Sequence, residues 1–206
     1  MTSKIESDLS VLCEEAKKLG AIDAKAIKSS DIIVDLRVTV KCRVPLCAYY
    51  GNSLMCPPHV MSASEFQEIL TKYAYAVLVQ VEVSVPEEVI QAAKKADNLA
   101  ELFGDKNYVK SMLSRAKELG EVVNKIEAIS FNLGYRFAAG FSGGTCTLCD
   151  ECVTKNPGEP CRHPFEARPA MEAVGIDVVK TAERAGFKLV APTMDKLVVY
   201  GMVLVD

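Results

Sequence analysis

The sequence predicts an α+β fold, a mixed sheet with packed helices and two cysteine-rich metal-binding loops at one end. Three observations point there. Strand-like runs alternate irregularly with helical periodicity, unlike a doubly wound sheet. Half of the 206 residues are hydrophobic and a quarter are charged, enough apolar material for a core and too much for a disordered chain. The cysteines gather in two segments punctuated by proline and glycine, at about 41–60 and 140–165, which read as loops. At this length one main core is expected, so residues 1–206 read as a single domain.

Ile5, Leu9, Leu12, Cys13, Ala16 and Leu19 keep helical spacing, and Gly20 stands where a C-cap belongs. Ile32-Ile33-Val34 and the alternating Leu36-Arg37-Val38-Thr39-Val40 read as one or two strands. A helix is expected from Ser64 to about Tyr73, then a central strand over residues 74–83, rich in valine. Pro86 with Glu87 and Glu88 marks a helix start running to Gly104, and a second long helix follows from Tyr108 to Ser130. Two short helices, Pro169–Val174 and Asp177–Ala185, are ended by Gly175 and Gly186. Lys188–Val190 and Lys196–Val205 read as closing strands.

With 24 basic against 27 acidic residues, a net charge of -3 and no long basic run, the chain lacks the electrostatic footprint of a duplex-binding protein, and no nucleic-acid partner is expected. Met1–Asp8 is polar and no apolar run approaches eighteen residues, so neither a signal peptide nor a membrane partner is expected and the location reads as cytoplasmic. In a reducing compartment eight cysteines point to metal ligands or redox groups rather than structural disulfides.

The run Cys146-x2-Cys149-x2-Cys152-x8-Cys161 carries the strongest chemical signal. Three thiolates two residues apart can wrap a compact cubane from one tight loop while a fourth closes it, the logic of a ferredoxin-like module. Zinc, the alternative metal, usually draws its ligands from two separated pairs. The run departs from the bacterial ferredoxin form in the long interval before Cys161 and in Arg162 where proline would follow. Ser142-Gly143-Gly144-Thr145 supplies backbone able to aim N–H groups at sulfur, and Arg136, Arg162 and Arg168 can offset the charge of a tetrathiolate cluster; a plain loop and plain surface arginines explain the same residues.

The first loop holds Cys42, Cys47 and Cys56, the last followed by Pro57-Pro58-His59. Three thiolates can hold a second cluster whose fourth iron is left to His59, water or substrate; buried cysteines, or one site shared with the other loop, are the bland readings. Cys13 falls on the apolar face of the first helix and reads as packing, leaving four plus three candidate ligands.

Through Cys56-Pro57-Pro58, Cys146-Thr147-Leu148-Cys149-Asp150-Glu151-Cys152, Cys161-Arg162-His163-Pro164 and the stretch from Arg168 to Asp177, the sequence resembles the cysteine-rich predicted metal-binding family known as domain of unknown function 2284. The resemblance covers nearly the whole chain. It implies metal binding without naming a reaction, and the family's occurrence in anaerobic archaea and bacteria suits an oxygen-sensitive cluster. Within Arg168–Asp177 a proline-initiated helix ended by glycine explains most residues; if helical, Arg168 and Glu172 share a face close to Cys161.

The leading expectation is an iron–sulfur protein that binds one [4Fe-4S] cluster at Cys146, Cys149, Cys152 and Cys161 and a second at the three-cysteine loop, moving electrons to or from a redox partner protein. Neither a dinucleotide fingerprint nor a P-loop is present. One alternative is an enzyme whose three-cysteine loop carries an open iron; the other is a structural zinc module. A homo-oligomer is compatible with each.

Overall fold

The computed structural model describes residues 3–84, 87, 90–91, 106–156, 158–188 and 196–206. A capping box starts helix α1 (Lys4–Lys18): the Glu6 amide donates to Ser3 Oγ at 3.4 Å and the Ser3 amide to Glu6 Oε2 at 2.8 Å. Strand β1 (Asp23–Lys28) follows, then two 3-10 turns, Ser29–Asp31 and Leu36–Thr39, and the one-turn helix α2 (Val40–Arg43). A second capping box, Ser62 with Glu65, starts α3 (Ala63–Leu70). Next come β2 (Tyr75–Ser84), the long helix α4 (Lys106–Asn132) and the three-residue strand β3 (Ala139–Phe141). Asp177 caps α5 (Val178–Arg184), its Oδ1 accepting the Lys180 amide at 3.0 Å, and β4 (Lys196–Val205) closes the chain.

The strands lie in the order β1-β2-β4-β3. Among the described residues the three strand pairings are antiparallel, so the α+β class holds and the sheet is antiparallel rather than mixed; a parallel link occurs there as an isolated bridge between Ser142 and Ala170. The pleat sends Val77, Val79, Val203 and Val205 to one face, where Leu9, Leu12, Ala16, Leu119, Val123 and Ile126 of α1 and α4 cover them. Ala76, Leu78, Met202 and Leu204 face the other side, against Phe66 and Leu70 of α3, Met171, Ile176 and Ala182. Gly201 lets α4 come down on the sheet: a Cβ there would stand 2.6 Å from Val123 Cγ2 and 3.0 Å from Leu119 Cδ1.

Three expected elements differ. Ile32-Ile33-Val34 forms no strand, since the 3-10 turns on either side leave Val34 only an isolated bridge to Ile176. Leu36–Val40 alternates like a strand but forms a 3-10 turn running into α2, because the Asp35 carboxylate accepts the Arg37 amide at 2.9 Å and bonds the Arg37 guanidinium, closing the turn locally. Pro169 starts no helix: its carbonyl accepts the Ser142 amide at 2.9 Å, and only Glu172–Val174 coils, as a single 3-10 turn. Most of the helix expected over 86–104 and of the strand over 188–190 lies outside the described residues. Among the described residues no helix is long and apolar enough to cross a membrane.

Candidate metal centre

Each cysteine loop is pinned at its base by one segment, residues 170–177. Ala170 bridges Ser142 where the second loop leaves β3, and the Met171 amide returns to the Ser142 carbonyl at 2.9 Å. Ile176 bridges Val34 ahead of the first loop, with the Asp35 amide donating to the Gly175 carbonyl and the Asp177 amide to the Ile33 carbonyl, both at 2.8 Å. Gly175, at φ +87°, rests on Ala63 where the first loop ends; a Cβ would lie 2.4 Å from the Ala63 Cβ. Only glycine satisfies both the backbone angle and this approach.

Within the first loop the Cys47 amide donates to the Cys42 carbonyl at 3.1 Å, the Tyr50 amide to the Cys47 carbonyl at 3.0 Å, and the Gly51 amide to the Pro57 carbonyl at 2.8 Å. These turns direct Cys42, Cys47 and Cys56 into one cavity of about 830 Å³. Val38, Tyr49, Tyr50, Ile176, Val178 and Val179 form much of its wall, and Lys41 and Glu172 also reach it. His59 stands elsewhere: it is exposed, and its Nε2 lies 3.2 Å from the Gly51 carbonyl, bracing the loop from outside.

In the second loop the His163 amide donates to Cys161 Sγ at 3.4 Å, and Arg162 reaches across to the Glu151 carbonyl at 3.1 Å. His163 Nδ1 lies 3.1 Å from Glu166 Oε2. Arg168 lines a small cavity with Cys146 and forms a largely buried ion pair with Glu127 of α4, Nε to Oε2 at 2.5 Å. Because residues 167–170 are not helical, Arg168 and Glu172 share no helical face. Arg136 covers the Phe137 ring at 5.7 Å.

The loops touch each other. The Leu54 amide of the first donates to Cys152 Sγ of the second at 3.4 Å, and Cys56 Sγ lies 3.7 Å from Thr145 Oγ1. Burial raises the thiols of Cys42, Cys56 and Cys146, and neighbouring cysteines add to the rise. Cys152 is the exception. Burial raises it too, but hydrogen bonds from the Leu54 and Thr154 amides outweigh that and favour the thiolate. The Thr154 hydroxyl beside it is buried with no hydrogen bond of ordinary geometry. Glu172 has surface within the cavity but is crowded by protein, and desolvation raises its carboxyl. Cys13 lies in the core below α1, where burial pushes its thiol up to about 11.

A family model described as Predicted metal-binding protein (DUF2284) matches residues 25–205. The chain belongs to this family. All seven cysteines outside the core fall within the span that DUF2284 covers, as does the segment that pins their loops. No curated protein and no solved structure matches the chain. Among the described residues, no three histidine, cysteine, aspartate or glutamate side chains are drawn tightly enough together to hold a single ion as they stand.

The donor set is one chemistry, soft thiols, with amide donors aimed at Cys146, Cys152 and Cys161 and the Thr154 hydroxyl beside Cys152. Such a set fits a sulfur-rich metal group, whose thiolates are tuned by N–H and O–H donors. Sequence reasoning did not find Leu54 or Lys41, and it named Thr145 for its backbone N–H rather than for its hydroxyl. A backbone amide carries no residue signature, and the contacts of Thr145 and Lys41 depend on how distant loops meet.

Proposed function

We propose that this protein is an iron–sulfur protein of redox function, with Cys146, Cys149, Cys152 and Cys161 holding one [4Fe-4S] cluster and Cys42, Cys47 and Cys56 holding a second with one iron left without a cysteine. The observation that supports the reading is the contact between the two thiol loops at Leu54 and Cys152. When bound, such clusters accept and release single electrons at potentials set by hydrogen bonds to sulfur, charge and burial. The chain supplies those settings. Leu54 and His163 donate N–H groups to Cys152 and Cys161, and Arg162, held on the Glu151 carbonyl, brings positive charge to the second loop. His59 is left out of the ligand set, because it does not line the cavity that Cys42, Cys47 and Cys56 share.

Anaerobic purification followed by iron, sulfide and zinc analysis, with an electron paramagnetic resonance spectrum of the reduced form, tests the proposal. A brown protein with about eight iron atoms, bleached by dithionite, is expected for two cubane clusters. Stoichiometric zinc without iron overturns it in favour of a structural zinc module.

A further inference from the structure

The thiol cavity is larger than a metal group needs. Cys42, Cys47 and Cys56 share its wall with the apolar side chains of Val38, Ile176, Val178 and Val179 and with Tyr49. About 830 Å³ falls in the range of small-molecule sites, which are apolar cavities carrying a few oriented polar groups. Most charged residues at its wall are already committed. Asp35 and Arg37 pair at 2.5 Å, and Asp177 caps α5. Lys41 makes no hydrogen bond or ion pair among the described residues, lines the cavity and immediately precedes Cys42; its charge acts on the Glu172 carboxylate, which reaches the same wall.

We propose that this cavity binds a small apolar organic carboxylate, its hydrocarbon or aromatic body against Tyr49, Ile176, Val178 and Val179 and its carboxylate between Lys41 and the three thiols. The proposal deepens the reading of the first loop as a metal centre, and rests on it for one point: a three-cysteine centre lacks one donor, and a carboxylate oxygen can supply it. The Lys41 charge partly offsets the negative charge that thiolates and ligand bring together. The apolar wall selects the body of the ligand by burial.

The test is calorimetric titration of the anaerobically prepared protein with octanoate and with 3-phenylpropanoate, each against its matching alcohol, octan-1-ol or 3-phenylpropan-1-ol. Iron content is measured on the same samples. At least one acid is expected to bind with a sub-millimolar Kd, more than about tenfold tighter than its alcohol. Lys41→Gln should cut that preference to about threefold or less, while Lys72→Gln, an exposed lysine after α3, should keep it. No binding by either acid, equal binding of acid and alcohol, or a preference untouched by Lys41→Gln overturns the proposal. The two readings fail separately: iron-replete protein that ignores both acids sinks only the ligand site, whereas zinc-filled protein that binds an acid through Lys41 sinks only the iron–sulfur assignment.

Discussion

The Leu54 amide and the Cys152 sulfur, 98 positions apart in sequence, meet at 3.4 Å and join the two cysteine loops. The donor is main chain, so the link survives replacement of most cysteine side chains. Each loop also has its own attachment to the segment 170–177, through Ala170 and Ile176 respectively. Two attached loops with separate thiol sets should load independently. Cys149→Ser is expected to remove about four iron atoms, one cubane's worth, and Cys47→Ser to leave the second-loop cluster intact while abolishing the other. Iron and sulfide counts with paramagnetic resonance check this. If either replacement empties the protein completely, the loops share one site, and the three-thiol centre loses its separate identity.

The Thr145 hydroxyl lies 3.7 Å from Cys56 Sγ, and its hydrogen bond, together with one from Ser53, opposes the rise that burial imposes on that thiol. Thr145→Val keeps the shape and removes the donor. In metal-free protein the Cys56 thiol should rise further, so its alkylation at neutral pH should slow relative to the parent chain. In loaded protein, loss of a donor to sulfur disfavours the more negative reduced state, and the first-loop centre should shift to lower potential. Mass-resolved alkylation and a redox titration read the two effects separately. An unchanged alkylation rate would mean that the contact has no electrostatic weight.

What the sequence revealed, and what it hid, divides along local and non-local lines. Helix α1 was legible because the spacing of Leu9, Leu12, Cys13 and Ala16 and the glycine just past its end, Gly20, all act within a few residues, and β2 because its valines fill one packed face while Ala76 and Leu78 fill the other. Leu36–Val40 misled because alternation alone makes no strand; the Asp35 side chain offered a local partner to the Arg37 amide and no neighbouring strand competed. Strand β3, three residues around Gly140, is too short to leave a periodic signal and exists through its pairing with β4. The cysteine groups were readable from spacing. The cavity was not, since Lys41, Glu172 and Val179 are brought together only when segment 170–177 clamps both loops.

Cys13 provides a test that avoids the metal groups. Its thiol is pushed up to about 11 by burial, against an ordinary value near 8.5, so the folded state favours the neutral form. The corresponding stability is fully present below pH about 8.5 and is lost as pH rises through about 11, because the unfolded chain releases that proton first. Metal-free wild-type protein should therefore weaken over this alkaline window more steeply than Cys13→Ala, as denaturant melts at several pH values would show. Cys13→Ser should cost about 1–3 kcal/mol at neutral pH by burying a hydroxyl among apolar neighbours. Metal content should not change in either variant; loss of iron would place Cys13 among the ligands.

Gly175 offers the sharpest test of how the fold holds both loops in place. Gly175→Ala adds a Cβ 2.4 Å from the Ala63 Cβ and forces a side chain onto backbone at φ +87°. Each effect is destabilising, and together they should cost at least about 2 kcal/mol. The two are separable. Replacing Ala63 by glycine in the same chain removes the clash but leaves the backbone strain, so the double variant should recover part of the lost stability, with a coupling of at least about 0.5 kcal/mol in the double-mutant cycle. Gly175→Asn, which tolerates the left-handed angle but still carries a Cβ, should remain impaired unless Ala63 is also reduced to glycine. Because residue 175 adjoins the first-loop bridge at Ile176 while Ala170 holds the second, metal loading of the Gly175→Ala protein should fall at Cys42, Cys47 and Cys56 before it falls at the other four cysteines. Iron lost first from the second loop, or additive effects at positions 63 and 175, would show that segment 170–177 does not clamp the first loop through this contact.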